Sequence, residues 1–404
     1  MCDGDQLMPA MALTPTPPGN NFLRAEELDA PEPRYPLELR FCRDCFHVQL
    51  AHVVDPRILY QRNYSYVSGT SSAFVGHLRD YAETMMARYE LSPGALVSDI
   101  GSNDGTCLRF FQQAGAQVLG VDPATEIARR ATEAGVPTVG DFFSLEVATR
   151  LRQSHGPAAF ITSHNACAHI DHLDDVMRGV HHWLADDGVF VLEVGYLLDV
   201  YRNLWFDTIY HEHLDYHTVA PFQRLCARTG LQVIDAERVS PQGGSIRLAM
   251  QKIGGSRAVS PRVQALIDLE REAGLQSVAA FEQYSRRIDA VGQVLRDLVR
   301  DLRAQGRSVA AFGAATKTTT LLGHFGLGAA DLDFIADDNP LKQGLFSPAS
   351  HIPVVSADEI YSRRPDYLLI TAWNFAEPIM AAHQRYVDEG GRFILPMPEA
   401  RVVS

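Results

Sequence analysis

The sequence predicts an α/β protein with two doubly wound units behind a small N-terminal module, and three observations point there. Twice along the chain an apolar run ends in a glycine-containing turn and passes directly into a helical pattern. These are LVSDIG (96–101) before TCLRFFQQAG, and SVAAFGA (308–314) before TKTTTLLGHF. After each, further apolar runs alternate with helix-type spacing, as a mostly parallel sheet covered on both faces requires. Ahead of both lies a proline-rich stretch with one Cys-x-x-Cys pair.

Residues 1–75 carry Pro15, Pro17, Pro18, Pro31, Pro33 and Pro36, then FCRDCFHVQLAHVV, which reads as a tight turn and a short strand. The module is expected to be coreless, and below roughly 70–80 residues such a unit needs a metal or a disulfide. Residues 76–255 form the first α/β unit. It runs through LVSDIG, its helix, QVLGVD (117–122) and a helix closed by Gly135, then AAFITSHNA (158–166), a helix near 172–184 and GVFVLEVGY (188–196). Residues 256–404 begin with one long or two consecutive helices over 256–305. The second unit follows with SVAAFGA, LDFIADDN (332–339), DYLLITAWN (366–374) and RFILPMP (392–398).

A formal charge of -13 over 404 residues excludes a phosphate-backbone binder, because such binding rests on Lys and Arg. A small-molecule partner is expected, and no nucleic acid. No apolar run reaches the roughly 18 residues of a membrane span, so the expected location is cytoplasmic. Six cysteines are too few for a disulfide scaffold in so long a chain, and reduced thiols are expected. Only Lys252, Lys317 and Lys342 of the 36 basic residues are lysines, which singles out Lys317 and Lys342. Nothing in the sequence requires an oligomer.

The sharpest cofactor signal is DIGSNDGTCLRFF at 99–111, followed by GVDPA. Gly101 and Gly105 let backbone amides at a helix N-terminus approach a ligand, and Asp122 stands where ribose hydroxyls would be accepted. The turn is not G-x-G-x-x-G, and its Asn103 and Asp104 suit the zwitterionic amino acid of adenosylmethionine better than a pyrophosphate. The plainer alternative is a first-turn glycine without a ligand. SHNACAHIDHLDD (163–175) adds Asn165 and His169 at a carboxyl-end loop, whereas His172, His181 and His182 read as solvated or capping.

FDTIYHEHLDYH (206–217) packs Tyr210, Glu212 and His213 together. These residue types supply a near-neutral base, a carboxylate and a phenol that donates to a developing oxyanion. A structural aromatic turn and a metal site of His211 and His213 are the alternatives, the latter without the i, i+4 spacing of a zinc helix. Cys42-x-x-Cys45 is half of a zinc site, with Cys2 a candidate third ligand and His47 or a cysteine outside this sequence candidates for the fourth; two buried cysteines together by chance are the alternative. In the second unit Thr316, Lys317, Asn339, Lys342, Trp373 and Asn374 cluster at strand ends and suggest a diphosphate or nucleotide pocket, with solvated lysines the bland reading.

Taken in order, YPLELRFCRDCFHVQL, NYSYVSGTSS, DIGSNDGTCL, FDTIYHEHLDY, GGSIRL, FGAATKTTTLL, DDNPLKQG and TAWNF resemble the sugar C-methyltransferases of branched antibiotic deoxysugars, the tetronitrose, mycarose and noviose types. The resemblance covers nearly the whole chain. It implies a zinc module, a class I methyltransferase domain for S-adenosylmethionine, and a C-terminal Rossmann-like domain for a dTDP-sugar. It also implies His213 as base, Tyr210 and Glu212 beside it, and Tyr64 and His169 lining the sugar site. The implied reaction is methylation of the carbon beside a 4-keto group, C3 or alternatively C5; an NAD-linked oxidoreductase and a zinc-bearing sugar-nucleotide binder without turnover are the readings outside the family. Family members carry two Cys-x-x-Cys pairs, and Cys2, followed by Asp3 and Gly4, resembles the second cysteine of the first.

Overall fold

A computed structural model describes residues 1–55, 58, 59, 69 and 72–403. Strands β1 (Leu7–Thr16), β2 (Tyr35–Cys42) and β3 (Val48–Leu50) form an antiparallel sheet at the N-terminus. In β2 the side chains of Leu37, Leu39 and Phe41 alternate inward while Glu38 and Arg40 face outward, the period of two that one buried face demands. The expectation of a coreless module is corrected here. Phe41 packs on Phe281 at 5.8 Å between ring centroids, and the Thr14 amide donates to His324 Nδ1 at 3.2 Å. The module completes its core against helices of the C-terminal region, a contact no local pattern could announce.

The first α/β sheet contains β4 (Leu96–Ile100), β5 (Gln117–Val121), β6 (Thr138–Val139), β7 (Ala158–His164) and β8 (Leu184–Gly195). A two-residue strand, β9 (Asp215–Tyr216), then leaves this unit and pairs antiparallel with β3 as the fourth strand of the N-terminal sheet. Strands β10 (Leu231–Val239) and β11 (Ser245–Lys252) return, giving the order β10-β11-β8-β7-β4-β5-β6. The five strands from β8 to β6 are parallel, and β11 and β10 close the edge antiparallel.

Between the units lie two helices, Pro261–Glu272 and Val278–Ala304, rather than one. Gly274 at φ +80° breaks them, and the hydroxyls of Ser260 and Ser277 cap their N-termini. The C-terminal sheet holds β12 (Val309–Phe312), β13 (Ile335–Asp337), β14 (Val354–Ser356), β15 (Tyr367–Ile370), β16 (Arg392–Leu395) and β17 (Arg401–Val403). Its order, β14-β13-β12-β15-β16-β17, has only the last strand antiparallel and reverses at β12, the place where such sheets bind ligands.

Candidate active site

In the first unit β4 passes into a turn with Gly101 at φ +76° and Gly105 at φ +75°, and the helix Thr106–Gln113 starts directly after. A Cβ on Gly101 would meet the Ala166 methyl at 2.5 Å, so only glycine lets this turn lie against the loop after β7. Asp122 holds the turn. Its oxygens accept the amides of Asn103 and Ala124, both at 2.8 Å. Asp104 turns back onto the helix end, where Oδ1 accepts the Thr106 hydroxyl at 2.7 Å and Oδ2 the Gly69 amide at 3.1 Å. Asn165 sits in the loop after β7 at φ +56° and donates its amide to the Glu193 carbonyl at 2.7 Å.

Several groups here escaped the sequence reading. Asp99 is buried beside this turn, and its Oδ1 has no hydrogen-bond partner among the described residues. Burial and then the Asp122 charge push its carboxyl well above the usual range. On the same sheet face Glu193 pairs in register with His164 on β7 and Arg247 on β11, and accepts His77 Nε2 at 2.6 Å. Burial raises its carboxyl, but His77, His164 and Arg247 outweigh burial and hold it down at about 2. The signal was there: a lone Glu in FVLEVG is in phase with the inward Val189 and Val191.

The segment 206–217 runs from the short turn Phe206–Thr208 to β9. His213 is fixed at both nitrogens. Nδ1 lies 2.9 Å from the Thr208 carbonyl and must carry the proton there, while Nε2 lies 2.8 Å from the Tyr210 hydroxyl and accepts from it. Burial lowers the imidazole well below its ordinary value, and His169, whose ring stands 4.9 Å away edge-on, lowers it further. His169 itself is brought down to about 4 by burial. Glu212 points elsewhere: Oε1 accepts Asn20 Nδ2 at 3.0 Å, and burial lifts its carboxyl to about 7 against the opposing pull of Asn20 and Lys342.

The metal alternative for His211 and His213 finds no support among the described residues, since His211 Nε2 turns to the Tyr35 carbonyl at 3.2 Å. Tyr64 lies outside the described residues.

Asn20 links three regions, because its Oδ1 also accepts the Thr316 hydroxyl at 2.8 Å. Thr316 opens the helix Thr316–Phe325 after Gly313 at φ +104°. Lys317 follows, its ammonium 6.0 Å from the centre of the Trp205 ring. Lys342 donates to the Ala314 carbonyl at 2.7 Å and rides over Phe22. Asn339 spends its side-chain oxygen on the Leu341 amide at 3.0 Å. Trp373 donates its indole N–H to Asp207 Oδ2 at 2.7 Å, and Asn374 lies next to it, half-buried. Thr316, Lys342 and Trp373 thus reach across to Asn20, Phe22 and Asp207, and Thr316, Asn339, Lys342 and Trp373 are already engaged with protein partners.

At the N-terminus the sulfurs of Cys2, Cys42 and Cys45 lie within 4.8 Å of one another, with Cys2 and Cys42 at 3.6 Å. Burial and the two neighbouring thiols push the Cys45 thiol up, a crowding that a divalent cation relieves by binding thiolates. The donor set fits zinc. His47 lies outside the thiol cluster, and its Nε2 bonds Asp215 Oδ1 at 2.6 Å.

Known families match all three regions: a zinc binding domain at residues 1–60, a methyltransferase domain at 75–236 and a C-methyltransferase C-terminal domain at 240–398. C-methyltransferase NovU of Streptomyces niveus is 35% identical over 404 residues, covering 100% of this chain and 96% of NovU. The chain belongs to the C-methyltransferase family. Its methyl donor is S-adenosylmethionine, and its N-terminal module is a zinc module. Membership sets aside the NAD-linked alternative.

Among solved structures, magnesium protoporphyrin IX methyltransferase from Synechocystis PCC 6803 with bound SAH is 18% identical, covers 44% of this chain and 83% of its own, and has a TM-score of 0.34. The 1,6-didemethyltoxoflavin-N1-methyltransferase of Burkholderia thailandensis is 17% identical over 51% of this chain and 95% of its own, with a TM-score of 0.38. At these scores the likeness says nothing about activity. No helix among the described residues is long and apolar enough to cross a membrane.

Proposed function

We propose that this C-methyltransferase acts in the cytoplasm on a dTDP-linked 4-keto-deoxysugar of antibiotic biosynthesis and methylates the carbon beside the ketone, C3. The observation that carries the reading is His213: buried, neutral at pH 7, and held by the Thr208 carbonyl so that Nε2, which accepts the Tyr210 hydroxyl, is its basic atom. Adenosylmethionine, when bound, supplies an electrophilic methyl on a sulfonium. Carbon attacks that methyl only after losing a proton, and a ketone makes the neighbouring C–H the acidic one. His213 Nε2 takes this proton. The Tyr210 hydroxyl, which donates to Nε2 in this structure, turns to the ketone oxygen before the transfer, which frees the Nε2 lone pair and leaves the phenol donating to the enolate oxygen as it forms. A general base contributes about 10²–10⁴-fold and an oxyanion donor about 10²–10³-fold.

The charge of the surroundings supports the same division of labour. Gly101, Asn103, Asp104, Gly105, Asp122 and Asn165 line the methyl-donor turn, and its carboxylates favour a cationic ligand. Lys317, with the N-terminus of the ten-residue helix Thr316–Phe325, suits a diphosphate. Lys342, Asn339, Trp373 and Asn374 frame that end, and His169 lies on the sugar side, the role that the family resemblance also implies for Tyr64. Cys2, Cys42 and Cys45 hold the zinc.

The test is to incubate the protein with adenosylmethionine and a panel of dTDP-4-keto sugars, following a mass gain of one methyl and locating it by NMR. His213→Ala is expected to bind both ligands yet lose methyl transfer and solvent exchange at the methylated carbon. Wild-type exchange in that variant would remove His213 from the base role, and no mass gain with any sugar would end the substrate reading.

A further inference from the structure

Asp207 occupies the turn Phe206–Thr208 with 1% of its surface exposed. Oδ2 accepts the Trp373 indole N–H at 2.7 Å, but Oδ1 has no hydrogen-bond partner among the described residues. A carboxylate oxygen buried without a donor is costly, and it persists where a ligand completes it. No cation within ion-pair distance answers it among the described residues. Burial pushes the carboxyl up, while the Lys317 ammonium, the Trp373 N–H and the backbone amides of Asp207 and Thr208 act in the opposite direction, the amides without reaching hydrogen-bond geometry at Oδ1.

Position tells what the missing donor belongs to. Thr208, the next residue, holds His213 through its carbonyl at 2.9 Å. Lys317 bears electrostatically on both Asp207 and His213, so the three groups share one neighbourhood. Trp205 and Trp373 meet edge to face at 5.8 Å beside it. On the reading above, Lys317 faces the diphosphate on C1 and His213 faces the carbon beside the C4 ketone. The ring position between those two ends is C2, and the substituents nearest to it are those on C2 and C3.

We propose that Asp207 is a specificity-determining residue whose Oδ1 accepts a hydrogen bond from a hydroxyl or amino group at C2 or C3 of the sugar, while Oδ2 stays on Trp373. The inference rests on the sugar-nucleotide reading. It assigns Asp207 a contact with substrate rather than a part in proton transfer.

Asp207→Asn tests it, because the amide oxygen keeps the Trp373 bond and an NH2 replaces the acceptor at Oδ1. Wild-type protein and the variant, each with S-adenosylhomocysteine bound, are titrated calorimetrically with dTDP-4-keto-6-deoxyglucose and with its 2,3-dideoxy counterpart. Wild type is expected to prefer the hydroxylated sugar by about 10–100-fold, the range for a hydrogen bond to a charged group. Asp207→Asn is expected to reduce that preference to about threefold or less, with melting temperature and S-adenosylhomocysteine affinity unchanged. An equal loss for both sugars, or a preference left intact, overturns the proposal and leaves Asp207 as a dock for Trp373. If wild-type protein binds neither sugar, the substrate reading itself falls.

Discussion

At the tip of the second strand of each α/β unit stands an aspartate that ties two strand ends together, Asp122 in the first and Asp337 in the second. Asp122 accepts the amides of Asn103 and Ala124 at 2.8 Å each; Asp337 accepts those of Ala314 at 2.6 Å and Asn339 at 2.8 Å. One amide comes from the turn after the first strand and the other lies two residues beyond the aspartate. What surrounds this shared brace differs in sign. The first unit gathers Asp99, Asp104 and Asp122, and its one lysine, Lys252, is spent 3.0 Å from Asp186. The second gathers Lys317 and Lys342. Asp99, driven up by burial and by Asp122, relaxes when a cation arrives, as a sulfonium or an ammonium would. Backbone geometry thus builds the turn in both units, and on the proposed reading the local charge selects the ligand.

The largest effect should come from removing each brace. Asp122→Ala leaves the buried Asn103 amide without its acceptor, and a hydrogen bond to a charged group is worth about 1.5–3 kcal/mol. We expect S-adenosylhomocysteine affinity to fall by about 100-fold while dTDP-sugar affinity stays within about threefold. Asp337→Ala should show the reverse. Calorimetry on both variants decides, and equal losses of both ligands in either one would break the parallel. Lys317→Met removes charge without removing length, so KM for the sugar nucleotide should rise by about 10–30-fold with KM for adenosylmethionine unchanged. A change in the second constant would mean that Lys317 serves the first unit.

How far the parallel could be seen in advance varied with distance along the chain. The strand-turn-helix starts at 96–101 and 308–314 were legible because apolar runs, glycines and helical spacing are all local. The convergence of Cys2 with Cys42 was legible only as chemistry, from what thiols at that spacing need. Destinations of long polar side chains were not legible. Asn20 meets Glu212 across 192 residues and Thr316 across 296, and Asp104 reaches back to the Gly69 amide across 35. Nor could local pattern show that two residues, Asp215 and Tyr216, would leave their unit to pair with β3. The second brace escaped notice because Asp337 stands beside Asp338, and nothing in the sequence separates them.

The seam between the units offers the next, smaller test. Burial raises Glu212 to about 7 from its usual 4.5, with Asn20 and Lys342 opposing. The native state therefore binds that proton more tightly than the unfolded chain does. Its stabilisation is complete below about pH 4.5 and is lost as the pH rises through about 7. Glu212→Gln has no such proton, so the melting temperature of wild type minus that of the variant should shrink by a few degrees between pH 5 and pH 8. A difference that stays level, or widens, would show that Lys342 and Asn20 keep the carboxylate ionised.

Smallest of all should be Thr316→Val. The sequence places Thr316 in the diphosphate pocket, whereas its hydroxyl is 2.8 Å from Asn20 Oδ1, and Asn20 in turn donates to Glu212 at 3.0 Å. If the hydroxyl works only through Asn20, losing one neutral hydrogen bond costs about 1 kcal/mol, or some fivefold in kcat/KM. Asn20→Ala should cost more, because it leaves Glu212 without its donor. The double variant Asn20→Ala/Thr316→Val should then cost no more than Asn20→Ala alone, since the threonine has nothing left to hold. Additive losses would mean that Thr316 also touches the ligand directly. In that case the second unit would use its helix-opening hydroxyl for binding, whereas the first, whose Thr106 hydroxyl is committed to Asp104, does not.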